Sequence, residues 1–76
     1  MHSFASVIDA FGVKVVAELL GVKESHVRVM KTRGSIPAEY WGLLIEAAPE
    51  HGISGVDYPL FRQLRSQKFA PAREVA

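Results

Sequence analysis

The chain has no cysteine, which excludes a disulfide framework and a thiolate metal site, the supplements that small cores most often need. Its three histidines, His2, His26 and His51, are scattered. None lies four residues from another, as a helical metal site would place them, so no metal is expected. No apolar run approaches the roughly 18 residues that cross a bilayer. Met1, His2 and Ser3 lack the basic start and apolar stretch of a secretory signal. The expectation is a cytoplasmic chain without membrane contact. Catalytic groupings are missing as well. Ser25 and His26 are adjacent on one helical stretch and point in different directions, and no carboxylate is placed to orient the histidine. Gly52 and Gly55 near Ser54 lack the preceding strand and the Gly-Lys-Ser/Thr ending of a phosphate loop. Neither an enzyme nor a cofactor is expected.

What is present is 76 residues, 49% hydrophobic and 22% charged, which suits one domain with a real core and a thin stability margin. Net charge is only +1, yet the charges are laid down in blocks. Residues 14–33 carry Lys14, Lys23, Arg28, Lys31 and Arg33 against Glu18 and Glu24, a net +3. Residues 39–57 carry Glu39, Glu46, Glu50 and Asp57 with no Lys or Arg, a net −4. Residues 62–73 carry Arg62, Arg65, Lys68 and Arg73, a net +4. A near-neutral chain ordered this way can show one basic face to a polyanion and turn an acidic face away. Solvated helix faces give the same pattern, so charge alone does not decide.

Apolar spacing predicts about five short helices. Phe4, Val7, Ile8 and Phe11 fall at i, i+3, i+4 and i+7, with Ser3 as N-cap and Gly12 as stop. Val13, Val16, Ala17 and Leu20 repeat that spacing up to Gly21, and although Val13, Val15 and Val16 are β-branched, the 3.6 period favours helix. Val27 and Met30 mark a third helix, 24–33, ended by Gly34. Pro37 suits the first turn of a fourth, with Trp41, Leu44, Ile45 and Ala48 inward and Pro49 and Gly52 closing it. Asp57 and Pro59 open a fifth, with Leu60, Phe61 and Leu64 buried. Residues 1–67 then form the domain and 68–76 a frayed, flexible tail.

The informative stretch runs from Val13 to Arg33, two helices joined by Leu20-Gly21-Val22-Lys23. A helix-turn-helix joins its helices at roughly 90 to 120° through a turn of about three to four residues that often holds glycine. It also needs a small residue where the helices approach, and Ala17 supplies one. The motif core is Val16, Ala17, Leu20, Gly21, Val22, Val27 and Met30.

This stretch resembles the helix-turn-helix of the Cro/C1-type phage repressors. The resemblance rests on Val16-Ala17-Glu18-Leu19-Leu20-Gly21-Val22, then Val27, then Arg33-Gly34-Ser35-Ile36-Pro37-Ala38, and covers about residues 4–48. It is nearest to small Cro-like regulators, including the YdaS-like group, that carry an Ile-Pro-Ala element after the reading helix. Two residues depart from that pattern: Lys23 stands where Ser or Thr usually caps the third helix, and Met30 where close relatives often carry Trp. The resemblance implies an all-α, lambda-repressor-like DNA-binding fold and a bacterial, phage or prophage regulator, acting as a repressor at the nucleoid.

In that motif the second helix enters the major groove and its N-terminal residues meet base edges. With Val27 and Met30 inward, spacing turns Glu24, Ser25, Arg28, Val29 and Thr32 outward as base-contacting candidates. Arg28 suits guanine O6 and N7, Ser25 a base or phosphate, Val29 a thymine methyl and Glu24 a cytosine amino group. Equally, Glu24 can act on the helix dipole and Arg28 can be its i,i+4 partner. Lys14, Lys23, Lys31 and Arg33 are the phosphate candidates. One module contacts few base pairs, so the expected partner is double-stranded DNA with a pseudopalindromic operator, bound by a homodimer. Tyr58, Leu60, Phe61 and Leu64 are the candidate dimer interface, or else the packing of the fifth helix on its own core. The acidic fourth helix, with Glu39, Glu46 and Glu50, would point away from DNA and offers a site for a protein partner. The competing reading is an antitoxin-like or anti-activator module that keeps the fold and acts on proteins.

Overall fold

Ser3 starts the first helix as its spacing predicts. Its backbone is extended, and its Oγ accepts the Ser6 backbone N–H at 3.1 Å, satisfying one of the amides that a helix start leaves open. Helix α1 (Phe4–Phe11) follows, with Phe4, Val7, Ile8 and Phe11 all buried. A single residue, Gly12, separates it from α2 (Val13–Leu20). The Gly12 N–H donates to the Ile8 carbonyl at 2.7 Å, and its own carbonyl accepts from Val16 at 3.0 Å. One residue therefore closes one helix and opens the next. Val16, Ala17 and Leu20 are buried and Val13, Val15 and Leu19 pack against them, so the β-branched cluster lies in a helix.

Gly21 ends α2 in the left-handed region, at φ 69° and ψ 33°. Only glycine adopts that conformation without steric cost, and it lets the Val22 N–H return to the Ala17 carbonyl at 3.1 Å. Lys23 then enters α3 (Glu24–Arg33) in extended backbone without a side-chain cap. Glu24 in the first turn, with Lys31 and Arg33 in the last, matches the helix dipole at both ends. Gly34 closes α3, and Ser35 donates back to the Met30 carbonyl at 3.1 Å.

The computed structural model describes residues 3–69. Beyond α3 it departs from the expected fourth helix. Pro37 stays extended at ψ 140°, and a 3-10 turn, Ala38–Tyr40, precedes α4 (Trp41–Ala47). The cause is the buried carbonyl of Ile36, which accepts the Trp41 Nε1–H at 2.8 Å and so holds the chain out of the helix until Trp41. Trp41, Leu44, Ala47 and Ala48 are buried, whereas Ile45 is only half-buried. Pro49 begins a second 3-10 turn, Pro49–His51, rather than stopping the chain. Helix α5 (Tyr58–Phe69) is opened by Asp57, whose Oδ1 accepts the Leu60 N–H at 2.8 Å. It continues past the expected boundary at residue 67; residues 70–76, the rest of the expected tail, lie outside the described residues.

All five α-helices share one core. α3 packs on α1 and α2, α2 also meets α4, and α4 meets α5. Phe4, Trp41 and Phe61 stack with centroids 5.4 to 6.3 Å apart, tying the first helix to the last two. Phe61, Ile8, Leu44, Val7, Val16 and Val27 are almost wholly enclosed, each worth roughly 1.5–3 kcal/mol of burial. No polar side chain is buried, and there is no strand, among the described residues. No helix among them is long and apolar enough to cross a membrane.

Candidate functional site

Helix α3 is anchored along one edge. Val27 and Met30 are its only buried residues, and Glu24, Ser25, Arg28, Val29 and Thr32 are all exposed, as their spacing predicts. Val29 is 45% exposed, a large apolar side chain held in solvent amid polar ones. The core positions of the preceding turn follow the same logic. Val16, Ala17 and Leu20 are buried, Val22 is half-buried, and Gly21 sits at the surface as a turn residue.

Arg28 and Lys31 are each engaged by a carboxylate of the chain itself. Arg28 donates to Glu24 Oε1 at 3.3 Å, one helical turn away, so the i,i+4 pairing left open by the sequence is made. Both side chains are about half exposed, and such a pair is worth roughly 0.3–0.5 kcal/mol. Lys31 reaches Asp9 of α1, with Nζ 2.5 Å from Oδ1. Nothing in the sequence singles out Asp9. It lies on the outward side of a different helix, and only the packing of α3 against α1 brings the two together.

Lys14 and Lys23 are exposed and border a shallow depression between α2 and α3, together with Ala17, Glu18, Val22 and Glu24. A second, largely apolar depression is formed by Val22, Lys23, Ser25, His26 and Val29 at the start of α3. His26 meets the edge of Tyr40 with centroids 6.4 Å apart, which joins α3 to the turn before α4. Arg33 is exposed at the far end of α3. Helix α3 therefore presents hydroxyl, guanidinium and methyl groups along its length, with lysines at the edges.

The candidate dimer residues separate. Phe61 and Leu64 are 0% and 5% exposed and pack in the chain's own core, so they are unavailable to a second molecule. Their i,i+3 stripe is what seats α5 beside Phe4 and Trp41. Tyr58 is exposed and Leu60 half-buried. Glu39, Glu46 and Glu50 are exposed on α4 and its flanking turns, elements distinct from α3. No cluster of three or more metal-ligating side chains exists among the described residues. Comparison of the chain with protein-family models, with curated proteins and with solved structures finds no match.

Proposed function

We propose that the chain is a sequence-specific double-stranded DNA-binding regulator of transcription, a Cro/C1-type repressor that inserts α3 into the major groove as a symmetric dimer. The reading is carried by the exposure of α3, which gives two residues to the core and leaves Ser25, Arg28, Val29 and Thr32 outward on a helix entered through a glycine turn. A major groove about 12 Å wide admits a helix anchored by one edge in this way. Two such helices about 34 Å apart would meet successive half-sites.

Recognition in this reading is an exchange of partners. Arg28 leaves Glu24, a loss of a few tenths of a kcal/mol, for two parallel hydrogen bonds to guanine O6 and N7, worth about 1–3 kcal/mol of discrimination. Val29 meets a thymine methyl, and Ser25 and Thr32 bond base edges or the backbone. Lys14, Lys23 and Arg33 meet phosphates, and Lys31 does so by releasing Asp9.

The experiment is binding to DNA fragments across salt concentrations, followed by selection of a preferred site. Affinity should fall with a log–log slope of about −0.9 for each phosphate neutralised. Arg28→Ala should relax the choice at one base position, and Lys31→Ala should weaken all sequences about equally. No binding at low salt, with Arg28→Ala behaving as wild type in cells, overturns the reading. The engagement of Arg28 and Lys31 by the chain's own carboxylates favours the second reading, an antitoxin-like or anti-activator module acting on proteins. Capture of a protein by Glu39, Glu46 and Glu50, without DNA binding, would establish it.

A further inference from the structure

The two outward flanks of α3 are unlike. Glu24, Arg28 and Lys31 recur at i, i+4 and i+7 along one of them, and all three are tied into ion pairs, Arg28 with Glu24 and Lys31 with Asp9 of α1. The other flank holds the depression bordered by Val22, Lys23, Ser25, His26 and Val29, whose walls are mostly apolar. No carboxylate among the described residues borders it. Its walls are fixed before any partner arrives. The Val22 N–H is held by the Ala17 carbonyl at 3.1 Å, and the His26 ring rests on the edge of Tyr40. Val22 is half-buried, whereas Val29 is 45% exposed and lies outside the core. Val29 is also the only large apolar side chain of α3 left so open.

We propose that this depression seats the C5-methyl group of a pyrimidine, so that the chain binds its site more tightly when a cytosine placed there is 5-methylated. Along the major groove the base edges offer hydrogen-bond donors and acceptors, and the thymine methyl is the one apolar group among them. Methylation at C5 gives cytosine the same group at the same place. An apolar hollow on a helix lying in the groove therefore matches that group and no other part of a base edge. The polar rim does not choose between the two bases. Ser25, three residues from Val22 and four from Val29, can donate its hydroxyl to thymine O4 or accept from the cytosine amino group. The methyl then decides the affinity, and its removal from water corresponds to about a fourfold change in binding. Arg28 stands on the opposite flank and acts apart from it. Because the seat acts only on DNA in the groove, it rests on the DNA-binding reading, and it adds to that reading a response to the methylation state of the site.

The test takes the site chosen by selection and, in matched duplexes, sets thymine, uracil, cytosine and 5-methylcytosine in turn at each pyrimidine position, with affinity read by fluorescence anisotropy. Thymine differs from uracil by the methyl alone, as 5-methylcytosine does from cytosine. At the position that meets Val29, uracil should bind about fourfold more weakly than thymine, and 5-methylcytosine about fourfold more tightly than cytosine. Val29→Ala should bring both ratios below about twofold, because the methyl and the valine act as one contact. Arg28→Ala should weaken binding and keep both ratios. The base replacements leave the protein untouched, so misfolding cannot imitate their effect. Failure to bind any duplex at low salt would overturn the DNA-binding reading and this proposal together. Binding in which no position responds to a methyl would overturn the proposal alone. So would a response to the thymine methyl that 5-methylcytosine does not share, or a response that Val29→Ala leaves intact.

Discussion

Helices α1 and α3 are of similar length and pack against each other, yet they are held in opposite ways. α1 has eight residues and buries four of them, all large and apolar. α3 has ten and buries two. α1 owes its place to the core, and little of it is left over for a partner. α3 owes its place to the glycine turns at its two ends and to one anchored edge, and Glu24, His26, Arg28 and Lys31 add contacts at the surface rather than in the core. Of these two helices, the one that gives fewer residues to the core leaves more of its surface exposed.

The largest effect that tests this contrast is Ile8→Ala. Ile8 is completely buried, and its truncation should cost about 2–5 kcal/mol in a denaturant titration. An unchanged midpoint would remove the basis of the comparison. Next comes Gly21→Val, expected to cost about 1–3 kcal/mol because a β-branched residue is forced to positive φ. No atom lies within 4 Å of a side chain added at Gly21, so the cost is one of backbone conformation alone. Gly21→Asn should therefore recover most of it, and equal losses in the two variants would point to crowding instead. In the other direction, Lys23→Ser should raise stability by about 1 kcal/mol, by giving α3 the cap it lacks. A melting temperature that fails to rise would show that Glu24 already meets the need. Smallest is Arg28→Ala, which should shift stability by less than about 0.5 kcal/mol, since Arg28 is exposed and its ion pair weak. A larger loss would make the outward face of α3 a structural one.

The first three helices were legible because each has an apolar stripe and a residue that punctuates it. Phe4, Val7, Ile8 and Phe11 between Ser3 and Gly12 leave no competing period, and all four are buried. The outward set on α3 followed from Val27 and Met30, since fixing two inward positions on a helix fixes the rest. The region after Gly34 was less legible for identifiable reasons. The start of α4 depends on a hydrogen bond from the Trp41 indole to the Ile36 carbonyl, which no helix-start rule anticipates. Val56 is buried in a non-helical link, where periodicity is silent. For α5, the stripe of Phe61 and Leu64 announced burial without saying against what, and the partner proved to be the chain itself. The Asp9–Lys31 pair joins two helices that are not neighbours in sequence, so no spacing could reveal it.

The indole of Trp41 has a further use. It is the chain's only tryptophan, 6% exposed, and clustered with one ring from α1 and one from α5. Its emission is thus a natural gauge of whether the two ends of the domain are together, blue-shifted while they are and red-shifted when water reaches the ring. Because it does not belong to α3, a ligand bound on the outward face of that helix should leave the signal unmoved unless the whole domain loosens.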